Sequence, residues 1–303
     1  MSLGPSPEYP KLRLGTAPDS WGVWFAEDPN QVPWARYLDE AAQAGYTRTE
    51  LGPYGYLPPD PAVLKGELAR RGLTLTGGTV FAALHKGSEA LEEAKGACDV
   101  EAATLVPLGA KHLILLPEGY TDLDGNLTAS PDLTEREWDD LNRGMSALGK
   151  HIKEKHGLEL VFHSHADSHV GTQEQIVRFL EGTDPTYVSL CLDSGHVAYC
   201  GGDNLAIIER YPERIQYVHL KQVDRAIRKR VMDEELGFGP AVRLGVMVEP
   251  PIGDPEMPAL LAALASLNRE LVCIVEQDMY PCDPAKPLPI ARRTREYLAG
   301  CGL

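Results

Sequence analysis

The sequence predicts a single-domain α/β fold of the (β/α)8 TIM-barrel type, and three observations carry the prediction. Short apolar runs alternate with longer amphipathic segments along all 303 residues. The runs are rich in Val, Ile and Leu without strict alternation, as a parallel sheet covered by helices requires. They number eight, each followed by a segment of helical spacing, and eight such βα units close a barrel.

In order, LRLGTAP (12–18) is the first strand and VPWARYLDEAAQA (32–44) its helix, which stops before Gly45. TRTELG (47–52) is the second, with a helix over 61–71, and LTLTGGTVF (73–81) the third. The helix over 88–107 is favoured by its alanines and glutamates. HLILLPEG (112–119) is the fourth strand, and Thr134 with Glu137 forms a capping box at the start of the helix after it. LELVFH (158–163), YVSLCLD (187–193), IQYVHLK (215–221) and LVCIVEQD (271–278) complete the set, with helices over 172–182, 203–211, 256–267 and 284–299. The connections 119–133 and 222–254 are long and carry Gly, Pro and charge, so they are expected to cover the barrel mouth. No repeat or linker divides the chain, which places the barrel at 11–303 behind a flexible leader at 1–10.

Hydrophobic residues at 43% and charged residues at 24% supply a sizeable core. A formal net charge of −15 with no basic run repels a phosphate backbone and excludes nucleic acid as a partner. The longest apolar stretches fall far short of the ~20 residues that span a bilayer, so no membrane association is expected. MSLGPSPEYP lacks the apolar centre of a signal peptide, and the expected location is the cytoplasm. Six dispersed cysteines without a C-x-x-C motif read as small buried hydrophobes in a reducing compartment.

Barrels of this kind carry their active sites at the C-terminal ends of the strands. Strand five ends in His163 and His165, strand six in Asp193, strand seven in His219 and Lys221, and strand eight in Glu276 and Asp278. Side chains two apart on a strand share a face, so each pair points to one side. Taken singly, each has a plain structural account: His219 as a hydrogen-bonded core residue, Asp193 as a cap for the turn at Ser194-Gly195, Glu276 as a buried ion-pair partner. Together, four strands that each end an apolar run in His, Asp or Glu bury several polar groups at once, and a shared cation satisfies them most economically. His196 follows Asp193 by three, and either turns into the mouth or closes the loop. Glu50 ends strand two, within reach of a substrate hydroxyl or of Lys221. Trp21, Trp24 and Phe25 follow strand one, as an aromatic wall at the mouth or as ordinary packing. His169 lies beyond its strand and is expected to face solvent. His85, His112, His151 and His156 take no chemical role, the last two sitting at a helix end where a cationic group suits the dipole.

At these positions the chain resembles the xylose-isomerase-like family of sugar isomerases and epimerases. LDSGH (192–196), VHLK (218–221) and VEQD (275–278) match its strand ends in order. GTAPDSWG (15–22), TELG (49–52), TEREWDDLNRGMSALG (134–149), TDPTYVSLCLDSGH (183–196) and AKPL (285–288) further resemble the inosose dehydratase branch of myo-inositol catabolism. Two places depart from that branch: Gly78 stands near its lysine, and its GDG-like loop is matched only by PIGDP (251–255).

The resemblance implies a divalent metal held by His163, Asp193, His219 and Glu276, with His165 as the alternative to His163. Two carboxylates and two neutral imidazoles balance a divalent cation and suit Mn2+ or Co2+, followed by Zn2+, Fe2+ or Mg2+. Most of the family carries Glu where this chain has His163, and its epimerases use the glutamates of strands five and eight as two bases. Only Glu276 of that pair is present, which favours a lyase or a one-base isomerase. The implied substrate is a polyhydroxylated ketone of the polyol or sugar class, enolised and then dehydrated. Lys221, Glu50, His165 and His196 are the candidates for base and leaving-group acid, with Glu276 as both ligand and proton acceptor. The alternatives are an aldose-ketose isomerase or epimerase, and a non-catalytic sugar-binding barrel. A phosphorylated sugar is disfavoured, because Gly201-Gly202 is followed by Asp203. The family also implies a homo-oligomer.

Overall fold

Val, Ile and Leu runs fold into strands where helices cover them, and the computed structural model, which describes residues 8–303, places these runs in one parallel sheet. In chain order the strands are β1 (Leu12–Thr16), β2 (Arg48–Thr49), β3 (Thr74–Leu75), β4 (Gly77–Ala82), β5 (His112–Pro117), β6 (Glu159–His163), β7 (Val188–Asp193), β8 (Ile215–Leu220), β9 (Gln222–Val223), β10 (Met247–Val248) and β11 (Leu271–Val275). The sheet order β3-β2-β1-β11-β8-β7-β6-β5-β4 is that of a barrel, with every pair parallel. The third stave is broken at Thr76 into β3 and β4, and Leu51 N–H to Gly77 O at 3.0 Å helps close the cylinder. β9 and β10 form a separate antiparallel ribbon.

Eleven helices accompany the strands among the described residues. The first five are α1 (Trp34–Gln43), α2 (Pro61–Ala69), α3 (Ser88–Leu105), α4 (Glu135–His156) and α5 (Gln173–Gly182). Then come α6 (Ser194–Tyr199), α7 (Asn204–Arg210), α8 (Arg225–Asp233), α9 (Phe238–Arg243), α10 (Met257–Ser266) and α11 (Pro287–Gly300). The capping box at Thr134 and Glu137 is formed, and Thr172 with Gln175 makes a second one for α5. Both satisfy N–H groups that a helix start leaves without partners. The expected second strand, 47–52, contracts to two paired residues. Two further elements, α8 and α9, lie in the long connection 222–254, where the sequence pattern predicts no helix.

Of the leader expected over 1–10, residues 1–7 lie outside the described residues, while Tyr9 donates its N–H to Gly302 O at 3.2 Å. The cysteines are unpaired, with Cys98, Cys191 and Cys273 buried. No helix among the described residues is long and apolar enough to cross a membrane.

The interior divides by strand periodicity. Residues facing the helices join one large core, while Ile114, Val161, Cys191, Tyr217 and Ile274 fill the barrel lumen. Side chains alternate in a strand, so the residue two steps after each lumen residue rises to the next layer. Val161, Cys191, Tyr217 and Ile274 are thus followed, toward the mouth, by His163, Asp193, His219 and Glu276. The two long connections lie over this layer, as expected. Asp167 fastens them together, accepting from Thr121 Oγ1 at 2.8 Å and from Phe238 N–H at 2.7 Å.

Candidate metal centre and catalytic cavity

His163, Asp193, His219 and Glu276 are all buried, and one donor atom from each lies within 4.8 Å of the others. Adjacent staves in register bring them there: Asp193 pairs with His219, and His219 pairs with Ile274, two residues before Glu276 on the same face. His163 Nε2 is 3.2 Å from Asp193 Oδ2. Asp193 Oδ1 accepts the N–H groups of Gly195 and His196 at 2.9 and 2.8 Å, capping α6 and leaving Oδ2 to face the centre. The expected turn cap and the expected site residue are therefore the same side chain, one oxygen for each.

Whether these groups fit a cation is decided at His219. Its Nε2–H donates to Glu50 Oε1 at 2.8 Å, so Nδ1 carries the lone pair in the neutral ring. That Nδ1 is buried without a hydrogen-bond partner, 3.0 Å from Glu276 Oε2 and 3.6 Å from Asp193 Oδ2. Burial opposes a charge on this ring, but its neighbours, Glu276 and Glu50 among them, raise its pKa well above the ordinary value; the position calls for positive charge, which a proton on Nδ1 supplies alone and a metal cation supplies by coordination. The donor set fits a divalent metal. The sequence offers Glu50 to Lys221 or to a substrate hydroxyl; the structure sets it in the cavity lining with Oε1 bonded to His219, where it orients the ring.

Lys221 is fully buried against three carboxylates: Asp278 Oδ2 at 2.9 Å, Glu276 Oε2 at 3.1 Å and Asp193 Oδ2 at 3.2 Å. Burial works against its charge, but these neighbours hold the ammonium well above its ordinary value. Burial likewise opposes ionisation of Asp193 and Glu276. Lys221 and the hydrogen bond from His163 hold the Asp193 carboxyl well below the usual range, and His219 with Lys221 pulls Glu276 down to about 2. Gly195 is required here, because a Cβ would lie 2.4 Å from Lys221 Cγ. The SGH turn leaves the lysine stem its path.

The centre opens on a cavity of about 530 Å3. His165 lines it but stands outside the four-donor group. Its Nδ1–H donates to Ala166 O at 2.7 Å, which leaves the Nε2 lone pair free, and burial pushes its pKa down to about 4. His196 also turns into the mouth, its ring centroid 3.9 Å from that of His165 and its Nε2 3.2 Å from Lys221 Nζ. Burial and the neighbouring His165 hold His196 well below its ordinary value.

The aromatic wall is present but differently composed. Trp24 and Phe25 line the cavity, joined by Phe238, whereas Trp21 is buried and donates Nε1–H to Glu40 Oε2 at 2.8 Å. His169 does not face solvent; it is buried and bonds Ser130 O at 2.9 Å through Nε2. Sequence reasoning misses Asp19. It lines the cavity, and its Oδ2 is buried without a partner. Burial and the nearby Asp278 and Glu276 push its carboxyl well above the usual range. The signal is present in GTAPDSWG, where a polar residue follows β1 within the turn that places Trp21.

Comparison with known proteins agrees with this geometry. A family model described as xylose isomerase-like TIM barrel matches residues 38–301. An inosose dehydratase from Geobacillus thermodenitrificans is 32% identical over 300 residues, covering 97% of this chain and 98% of its own. One from Clostridium tetani is 31% identical over 294 residues, covering 95% and 96%. Among solved structures, the probable 3-DHS dehydratase AsbF of Bacillus anthracis superposes with a TM-score of 0.72 at 13% identity, covering 95% and 98% of the two chains. The IOLI protein with a binding zinc atom superposes at 0.73 with 15% identity, covering 96% and 99%. The chain belongs to the xylose isomerase-like TIM-barrel family.

Proposed function

We propose that the protein is an inosose-dehydratase-like lyase: a metal-dependent enzyme that enolises a neutral polyhydroxylated ketone and eliminates water from it. The observation that carries this is the buried four-donor group of His163, Asp193, His219 and Glu276 at the floor of a cavity walled by aromatic rings. The full-length inosose dehydratase relatives support the substrate class. Cavity charge supports it too. Among the described residues, Lys221 is the one lysine or arginine in the lining, and three carboxylates already engage it; Glu50, Asp122 and Asp167 add further negative charge. A phosphate finds no partner there, whereas hydroxyl groups find acceptors.

A divalent metal held by the four residues supplies Lewis-acid stabilisation of the charge that develops on the ketone oxygen. Two imidazoles with two carboxylates point to Mn2+ or Co2+ ahead of Zn2+, Fe2+ and Mg2+. His165 presents a free Nε2 to the cavity and takes the proton from the carbon beside the carbonyl. The electron pair left behind forms the enol double bond as the hydroxyl on the next carbon departs with a proton, giving water and the enol of a diketone. Lys221 Nζ supplies that proton or holds the developing oxyanion, and Asp278 and His196 fix its position. Glu50 is a positioning residue acting through His219. With Glu50→Gln, metal affinity falls by about 10–100-fold, as measured by titration against a competing chelator. Unchanged affinity would mean that the His219 ring needs no such anchor.

The test of the activity is incubation of metal-loaded protein with inososes and ketoses in D2O, following deuterium uptake at carbon and diketone absorbance together. Both signals with an inosose are expected. Deuterium uptake without diketone makes the enzyme an isomerase or epimerase, and neither signal across the panel overturns the proposal.

A further inference from the structure

A second group of metal-binding side chains lies at the opposite pole of the barrel. His156 ends α4 three residues before β6 begins, so this corner sits at the N-terminal ends of the strands, away from the cavity. There Asp99 of α3 meets His151 and His156 of α4. His151 Nε2 and His156 Nε2 approach the same oxygen, Asp99 Oδ1, at 2.8 and 2.6 Å. Lys155 Nζ takes the other oxygen, Oδ2, at 2.7 Å.

We propose that Asp99, His151 and His156 form a second site, for a borderline divalent transition ion such as Zn2+, that clamps α3 to the C-terminal end of α4. The donor atoms already lie within 4.8 Å of one another. Zinc bonds of about 2.0–2.1 Å in tetrahedral geometry set the donors roughly 3.3 Å apart, so the His151 and His156 contacts to Asp99 open by about 0.5 and 0.7 Å. Relative side-chain exposures of 28% for Asp99, 24% for His151 and 16% for His156 leave room for a water ligand while most of the group is desolvated. Two imidazoles with one carboxylate exclude Ca2+ and Mg2+, which prefer oxygen alone. Lys155 opposes a cation, but it also confines Asp99 to one coordinating oxygen. The unpaired carbonyls that end α4 favour positive charge. Burial works against Asp99's ionisation, yet hydrogen bonds from Lys155, His156 and His151 hold its carboxyl well below the usual range. The three ligands come from one side of a helix pair, at the far pole from the catalytic cavity, so the role assigned is structural.

The experiment is Zn2+ titration of metal-stripped full-length protein in competition with a chromophoric chelator, comparing wild type, Asp193→Asn and His151→Ala/His156→Ala. Wild type is expected to take two equivalents and each variant one, with Asp193→Asn retaining a zinc-dependent rise in melting temperature. The proposal is overturned if wild type takes one equivalent that Asp193→Asn abolishes. It is equally overturned if the double variant, folded by circular dichroism, still takes two. Should the double variant not fold, Asp99→Asn replaces it, and a zinc-edge anomalous peak bonded to His151 and His156 in soaked crystals is the second readout. Absence of that peak, with zinc present at Asp193, overturns the proposal as well. The outcome is independent of the activity proposed above.

Discussion

Asp193→Asn is expected to lower divalent-metal affinity by about 100-fold or more and turnover by on the order of a thousandfold, while leaving the fold intact. The two oxygens of Asp193 perform separable tasks. Oδ1 caps α6 through Gly195 and His196, and Oδ2 faces His163 and Lys221. Asparagine caps a helix about as well as aspartate, so an amide oxygen in the Oδ1 position keeps the turn that carries His196. The amide nitrogen replaces the charged oxygen with a donor aimed at Lys221, which removes a ligand and half of the centre's anionic charge. Lys221 keeps Glu276 and Asp278, which limits the cost of leaving its third contact unmade. The contrast is Asp193→Ala, which also loses the cap and about 1 kcal/mol of stability. Elemental analysis after dialysis against chelator, turnover in the deuterium-exchange assay and thermal melting separate these effects. An Asn variant that retains metal and turnover would place the ion elsewhere.

The site is legible in the sequence to the extent that it follows strand periodicity. His163, Asp193, His219 and Glu276 each end an apolar run, and a parallel sheet fixes their layer without knowledge of the fold's details. The second neighbours are not legible. His219 and Glu50 are 169 residues apart, and nothing local to TELG distinguishes a ring-orienting carboxylate from a substrate-binding one. His169 departs from its expected place because its partner is a backbone carbonyl in the loop at Ser130, which no side-chain pattern records. Trp21 leaves the mouth because Glu40 on α1 accepts its N–H. The short helices α8 and α9, of nine and six residues, are below the length at which a 3.6-residue period separates from chance. His151 and His156 read as helix-end residues, and their convergence needs Asp99 from the neighbouring helix.

Glu101 shows the same limit with the largest effect on stability. In the sequence it is one of several glutamates that favour α3; in the fold it is 2% exposed, with Oε1 lacking any partner. Its carboxyl occupies the space under Gly78, where a Cβ would lie 2.0 Å from Oε1. Burial, reinforced by the charge of Glu50 and opposed by the Thr79 N–H, pushes its pKa up to about 8 from an ordinary 4.5. A carboxyl raised on folding binds its proton more tightly in the native state, so stability is greatest below the unfolded pKa and declines as pH rises toward the folded one. The window is therefore about 4.5 to 8. At about 1.4 kcal/mol per pH unit, and with allowance for a relaxed and compact unfolded chain, the loss by pH 8 is on the order of 3 kcal/mol. Glu101→Gln keeps the shape and removes the titration. Its stability relative to wild type, from urea unfolding at fixed pH, is expected to climb steadily between pH 5 and 8 and then level off. The unpaired amide that this substitution introduces adds a constant offset, so the slope is the diagnostic quantity, and a difference that stays flat across that range would mean that Glu101 is charged in the folded protein.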